Sequence, residues 1–378
     1  MMMLKNKVID YGRSIGIDMM GFTSAEAFED LRDIINMRKK AGYLSGFAEN
    51  DIELRVNPKK TMSEAKSILV IGVPYYVKDE MQHQEKLPEF YGELARTAWG
   101  KDYHQVLKEK MENIASFIKK EEKDFQYKIF VDTGPLVDRH VAYRAGLGWY
   151  GYNSLLMNKK YGSWFFIGYM LNNIAFEADK ESICTTCYQC NLCIKHCPKG
   201  AIEAPYKFNA QKCLSNILQQ KGDIGEEDRS ILGQRLYGCD ICQSVCPHNK
   251  EIEGISENYF YPKDVSCKPD LIELLNISNK EFKETYGKTS AGWRGKTVLQ
   301  RNAIIAIVNQ QKSTALPHLL PLLQDIRPEI RKYAVWAISV LAPQEACKIL
   351  MKTKAKEKNQ EVLKIIEYYL DKLTDEEQ

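Results

Sequence analysis

Two cysteine runs between residues 184 and 247 constrain this chain more than anything else in it. The first reads Cys184-Thr-Thr-Cys187-Tyr-Gln-Cys190-Asn-Leu-Cys193-Ile-Lys-His-Cys197-Pro198, and the second Cys239-Asp-Ile-Cys242-Gln-Ser-Val-Cys246-Pro247. Three cysteines two residues apart wrap a short loop around three corners of a cubane iron–sulfur cluster, and a fourth cysteine followed by proline serves the neighbouring cluster. The x3-Cys-Pro ending sets the register: Cys187, Cys190 and Cys193 form the triplet, Cys197 crosses over, and Cys184 is surplus.

The second run supplies Cys239, Cys242 and the crossover Cys246. That makes seven thiolates where two cubanes need about eight. The eighth must come from Cys184, Cys213, Cys267 or Cys347, and Cys213, between the runs, is assigned to it. The expected first cluster uses Cys187, Cys190, Cys193 and Cys246, and the second Cys197, Cys213, Cys239 and Cys242. Zinc also binds four cysteines, but as paired Cys-x2-Cys units that need no repeated x3-Cys-Pro ending. A disulfide framework suits small secreted domains rather than a chain of 378 residues.

Length allows two or three domains, each with its own core. Charged residues are 27% and hydrophobic ones 44%, an ordinary water-soluble composition. A net charge of +3 does not by itself argue for a nucleic-acid partner. No apolar run reaches the length of a membrane span. The opening Met1-Met-Met-Leu-Lys-Asn-Lys7 lacks a signal peptide's apolar core, so a cytoplasmic protein with reduced thiols is expected.

Along the chain, residues 4–16 read as a helix and Asp18 to Phe22 as a strand, with Thr23 or Ser24 capping a helix that carries Phe28, Leu31 and Ile35. Tyr43 to Pro58 reads as irregular. Ser67 to Val73, Tyr127 to Val131 and Ser163 to Leu171 read as buried strands, and a helix follows His104 to about Glu122. Strands mixed with helices up to residue 178 suggest an α/β domain, with ligands at strand carboxyl ends and Asp132 beside them. Gly146-Leu-Gly148-Trp-Tyr-Gly151 imitates a dinucleotide fingerprint but follows a helix-like stretch, so close backbone approach is the better reading. Asp102-Tyr-His104 begins like a histidine–cobalt motif, yet Leu107 stands where that motif needs glycine; His104 then reads as a hydrogen-bonded residue at a helix start.

The C-terminal part is helical and repetitive. Arg301-Asn-Ala303-Ile-Ile-Ala306-Ile307 aligns with Lys332-Tyr-Ala334-Val-Trp-Ala337-Ile338 at a period of 31, in the manner of HEAT repeats. Arg294, Lys296, Arg301, Arg327, Arg331 and Lys332 recur there. They form either a solvated helix face or a surface for phosphates, and pattern alone leaves both readings open.

The whole chain resembles one family, the epoxyqueuosine reductases. The carrying motifs are Trp99-Gly-Lys-Asp-Tyr-His104, Val131-Asp-Thr-Gly134, Arg144-Ala-Gly-Leu-Gly148, the two cysteine runs with Cys213, Tyr237-Gly-Cys-Asp-Ile-Cys242, and Trp293-Arg-Gly-Lys296 before Arg301-Asn-Ala303. The cluster region also resembles that of reductive dehalogenases. Three departures stand out: Tyr152 where the family has lysine before Asn153, Ala95 where some members have cysteine, and the extra Cys184.

The resemblance implies an α/β cobalamin-binding domain over 1–178, a ferredoxin-like domain with two 4Fe–4S clusters over 179–262, and a linker with α-helical HEAT-like repeats over 263–378. It implies removal of the epoxide oxygen of epoxyqueuosine, as water, at the wobble position of a tRNA anticodon stem-loop. Asp132 would donate a proton; Arg55, Asp132, Asn153 and Ser215 would lie near the cobalamin, with no protein histidine on cobalt. Arg139, and Arg294, Lys296, Arg301 and Arg331 of the repeats, would meet the tRNA. An external electron donor and a monomeric chain complete the expectation. A carboxylic acid donates near neutral pH only if burial raises its pKa, and Asp102 and Asp138 are the rival acids. Two other readings compete, a dehalogenase-like enzyme on a small substrate and a ferredoxin-type electron carrier with a protein-binding helical module. The first typically carries an export signal and lacks HEAT repeats, and the second leaves the N-terminal domain unexplained.

Overall fold

The computed structural model describes residues 2–77, 86–180, 187–252, 254 and 258–376. The chain separates into two units of interleaved segments: Met1–Asp79, Lys101–Cys213 and Asp240–Tyr261 in one, and Glu80–Gly100, Leu214–Cys239 and Pro262–Gln378 in the other.

The first unit is built on a four-stranded sheet of β1 (Met19–Ser24), β2 (Ser67–Pro74), β3 (Tyr127–Val131) and β4 (Phe165–Asn172) in the order β1-β2-β4-β3. Every pairing is antiparallel. The expected mixture of helices and strands is present, but the rule that places ligands at strand ends in parallel sheets has no purchase here. β2 is central, so its side chains are buried on both faces. Leu69, Ile71 and Val73 face one core with Met111, Ile114 and Ile118 of a helix over Tyr103–Glu121. Ile68 and Val70 face the other with Leu31 and Ile35 of a helix over Glu29–Lys40. β3 is an edge strand and only half-buried, contrary to the expectation from its apolar run.

Two local readings change. Thr23 and Ser24 pair with Ile68 and Ser67 inside the sheet, so neither caps the next helix, which begins at Glu29 without a side-chain cap. The stretch read as irregular holds a short helix over Ile52–Val56, capped by Asp51, and a helical turn over Pro58–Thr61, capped by Asn57 with proline in its first turn. The first of these presents Arg55. The glycine motif does allow close approach. A Cβ on Gly148 would sit 2.0 Å from the Met157 carbonyl oxygen, and Gly146 has φ 76° with its missing Cβ 2.6 Å from the Lys180 carbonyl.

In the second unit, residues Val298–Val308 of the helix Lys296–Asn309 are all buried. That helix packs on Pro328–Leu341, which packs in turn on Gln360–Glu376. The first two are the segments aligned at a period of 31, and burial on most sides explains their near-continuous apolar sequence. Among the described residues no helix is long and apolar enough to cross a membrane.

Candidate functional site

Cysteine spacing becomes geometry in the first unit. Short helices over Leu192–Lys195 and Ile241–Ser244 pack together, each carrying a cysteine, Cys193 and Cys242. Gln189 and Asn191 take left-handed φ of 56° and 59°, which curls the chain between Cys187 and Cys193. Cys187, Cys190, Cys193 and Cys246 line one open hollow, beside Tyr152, Asn153 and Met157. Among the described residues no three such side chains converge tightly enough for a single ion, so the thiols surround a space rather than a point. Burial first, then the neighbouring thiols, pushes Cys193 up to about 11, and burial pushes Cys246 up as well. The four predicted ligands of the first cluster are thus brought together.

A polar strut fixes this module to the sheet. Asn249 donates to Ser163 Oγ (2.9 Å) and to the Gln243 carbonyl (2.8 Å), while the Ser163 amide donates to Asn249 Oδ1 (2.8 Å). Asn153, expected near the cobalamin, donates to the Cys242 carbonyl of the second cysteine run at 3.2 Å. Cys197, Cys213 and Cys242 belong to the first unit and Cys239 to the second. The Ala201 amide donates to Cys197 Sγ at 3.2 Å. Cys184 lies outside the described residues. Tyr152 packs edge-on against Tyr206.

A second constellation gathers at the end of β3. Asp132 has φ 55°, a costly conformation for a residue with a Cβ, and its side chain is 64% exposed. Tyr103 donates to Asp132 Oδ2 at 3.0 Å, and His104 Nε2 lies 3.8 Å from the same oxygen. Asp102 caps the Tyr103–Glu121 helix by accepting from the His104 amide, and its Oδ1 also meets His104 Nδ1 at 2.7 Å. Burial opposes charge on His104, but Asp102 and Asp132 outweigh it and push the imidazole up to about 9. Crowding alone would raise Asp132; its contacts with His104 and Tyr103 hold it below the usual carboxylate range instead. Asp138 goes the other way. Burial, then the nearby Asp132 charge, pushes it up to about 8, and its Oδ1 has no hydrogen-bond partner among the described residues. The expectation that burial makes Asp132 the neutral acid is therefore corrected: near pH 7 the protons rest on His104 and Asp138.

Arg38, Arg55 and Arg139 crowd nearby, with Arg139 donating to the Ser154 carbonyl at 2.6 Å. Burial first, and mutual repulsion second, lowers Arg38 and Arg55. Arg55 Nη1 and Arg38 Nε are buried without acceptors among the described residues, so the recess is short of hydrogen-bond acceptors there. Arg38, Tyr103 and His104 were not singled out as site residues from sequence, although Asp102-Tyr-His104 carried the signal for two of them.

The second unit revises the basic list. Arg301 is fully buried, donating to the carbonyls of Leu218, Gln220 and Gly222, and no phosphate can reach it. Arg331 pairs in bidentate fashion with Glu357, at 2.7 and 2.9 Å, and is committed within the fold. Arg294 donates to the Gln219 carbonyl and lies over Trp293, which is 50% exposed. Lys296 reaches the Ile277 carbonyl, and Ser215 accepts from Gln219.

The comparisons with known proteins agree with this arrangement. Residues 186–249 match the family described as 4Fe-4S double cluster binding domain. The protein is thus of the class that carries a double iron–sulfur cluster module. Residues 55–133 match the family described as Epoxyqueuosine reductase QueG, DUF1730. An epoxyqueuosine reductase of Bacillus subtilis is 43% identical over 95% of this chain and 93% of its own, and one of Staphylococcus aureus is 41% identical over 91% and 90%. A solved epoxyqueuosine reductase with a tRNA-Tyr epoxyqueuosine-modified stem loop superposes with a TM-score of 0.92 at 41% identity, covering 98% of this chain and 99% of that one. A Bacillus subtilis structure with its catalytic aspartate loop swung out of the active site gives 0.91 at 40% identity, covering 98% of each. The chain belongs to the epoxyqueuosine reductase family.

Proposed function

We propose that this chain reduces epoxyqueuosine to queuosine at the wobble position of a tRNA anticodon stem-loop, taking electrons from an external one-electron donor through two 4Fe–4S clusters. The observation that carries the reading is full-length likeness to these reductases, joined to an accessible, strained aspartate at the end of β3. The cysteine sets assigned above hold the clusters, with Cys197, Cys213, Cys239 and Cys242 as the second. The working domains are 1–178, 179–262 and 263–378, the last in HEAT-like repeats.

Cobalamin is the third cofactor. Its side-chain amides and phosphate would supply the acceptors that Arg55 lacks, and Asp132, Asn153 and Ser215 complete the proposed contacts. His104 has Nδ1 engaged by Asp102 and Nε2 turned to a carboxylate, which fits a cobalt without a protein histidine. When bound, cobalamin supplies the low-potential two-electron chemistry that epoxide reduction requires. Asp132 hands a proton to the epoxide oxygen, Tyr103 orients that carboxylate, and Arg139 steadies the negative charge around it. Arg139, Arg294 and Lys296 remain the proposed tRNA contacts. An exposed Trp293 beside Arg294 suits a splayed base.

The test is anaerobic purification, reconstitution with cobalamin, iron and sulfide analysis, and turnover on an epoxyqueuosine-containing stem-loop. Asp132→Asn is expected to keep iron and corrin and lose turnover by at least ~100-fold, the scale of general acid catalysis. Near-normal turnover would remove Asp132 from this role. A wild-type protein that retains iron but neither corrin nor turnover would move the reading to an electron carrier.

A further inference from the structure

Epoxide reduction consumes more protons than one carboxyl carries. Two C–O bonds break, one C=C bond forms, two electrons enter, and two protons leave the site in the product water. Asp132 can carry one of them at a time, and the structure holds it as a carboxylate. Something must load it twice.

The neighbouring helix start is built for that. Asp102 does two jobs with one carboxylate, capping the helix and fixing His104 Nδ1 at 2.7 Å. With Nδ1 so held, Nε2 is directed at Asp132 Oδ2, 3.8 Å away, and makes no hydrogen bond with any other group among the described residues. The ring is pinned from the side by Tyr103, stacked at 4.1 Å, whose own ring stacks on Phe166 at 4.1 Å. The same Tyr103 donates to Asp132 Oδ2 at 3.0 Å. A gap of 3.8 Å is longer than a hydrogen bond, as catalytic contacts often are before substrate arrives. The imidazole side chain is 32% exposed, so solvent can recharge it.

We propose that His104, fixed by Asp102 and aimed at Asp132, is the positioning residue that reloads Asp132 with both protons that epoxide reduction consumes. The inference rests on the function proposed above. In the first half, the Nε2 proton passes to Asp132 Oδ2, and Asp132 gives it to the epoxide oxygen as the first C–O bond opens. Solvent reprotonates His104. In the second half the same transfer delivers the second proton, and water leaves as the alkene forms. The electrons come from the external donor. The charged groups facing this pair are Asp102 from the helix start, Asp138 and Arg139 from the segment after β3, and the phenol of Tyr103. Two carboxylates around one imidazole keep it protonated up to about pH 9, which is the condition a proton store must meet at neutral pH.

Two measurements test it. The first is a carbon-13 NMR titration of the histidines, with His104 assigned from His104→Gln. The expected midpoint for His104 is near pH 9, falling towards the ordinary ~6.5 in Asp102→Asn. A wild-type midpoint near 6.5 overturns the proposal whatever the enzyme does. The second is single-turnover conversion of the stem-loop between pH 6 and 9.5. His104→Gln is expected to lower the rate about 100-fold with stem-loop affinity unchanged, and His104→Ala to regain rate with added imidazole. Asp132→Asn should gain nothing from imidazole. Unchanged rate and pH profile in His104→Gln, or a loss confined to stem-loop affinity, overturns the proposal while the reductase reading stands. Failure of the wild-type protein to convert the stem-loop overturns both.

Discussion

Arg301→Met separates a structural arginine from an RNA-binding one. The guanidinium has no solvent-exposed surface and donates to Gly222 O at 2.7 Å, Gln220 O at 2.8 Å and Leu218 O at 3.1 Å. It also meets Asn302 Oδ1, and Asn302 itself donates to Leu218 O and Leu236 O. Methionine fills comparable volume but offers no donor, so three buried carbonyls lose a charged partner. An orphaned buried acceptor costs about 1–3 kcal/mol, and removing one side of a buried charged network about 3–5 kcal/mol. A loss of about 4 kcal/mol is expected, close to a thousandfold in the unfolding equilibrium. Urea titration followed by tryptophan fluorescence and circular dichroism reads it. Stem-loop affinity, measured at a temperature where the variant is folded, should stay within about twofold of wild type. Wild-type stability with a selective loss of stem-loop affinity would refute the reasoning, because it would require Arg301 to face the ligand.

Two further outcomes follow from the structure. Cys213→Ser should lower iron from about eight to about four per chain while Cys184→Ser leaves it unchanged, since each cubane takes four thiolates; iron and sulfide analysis after anaerobic purification decides, and the reverse pattern would reassign the eighth ligand. Glu357 is pulled from its ordinary 4.5 down to about 2, chiefly by hydrogen bonding to Arg331. A depressed carboxylate stabilises the fold above its unfolded pKa and loses that contribution as pH falls through the folded value. Glu357→Gln should therefore cost about 2 kcal/mol at pH 7, after discounting for solvent near the surface, and little by pH 2. Denaturant midpoints at pH 7, 4 and 2.5 check it, and an equal loss at all three would put the effect in packing.

What could be read from sequence was what depends on neighbours in the chain. The first cluster's thiols lie within a few residues of one another except for Cys246, and the Cys-Pro spacing announces that exception. The close approach at Gly148 and Gly151 was legible for the same reason, because their partner Met157 comes soon after. Arg301 was not legible. Its acceptors lie about 80 residues earlier, and nothing in Arg301-Asn-Ala303 says that the arginine turns inward. The Thr23–Ser24 cap failed because β2, more than 40 residues on, recruits both into the sheet.

The proton chemistry is the most instructive case. Burial argues that an aspartate should be neutral, and that argument holds for Asp138 at the start of the helix Asp138–Arg144, where burial and the Asp132 charge outweigh Arg139. It reverses for Asp132 because the Tyr103–Glu121 helix begins beside it and delivers a phenol and an imidazole to one oxygen. Asp132 follows the end of β3 and Asp138 opens the helix Asp138–Arg144 just after it; the partner that the fold brings to each sets opposite charges. An acid that must be reloaded, beside a base that stays charged, is a different device from one buried neutral acid. A pH profile with a single high limb that moves when His104 is replaced, and not when Asp138 is replaced by Asn, distinguishes the two.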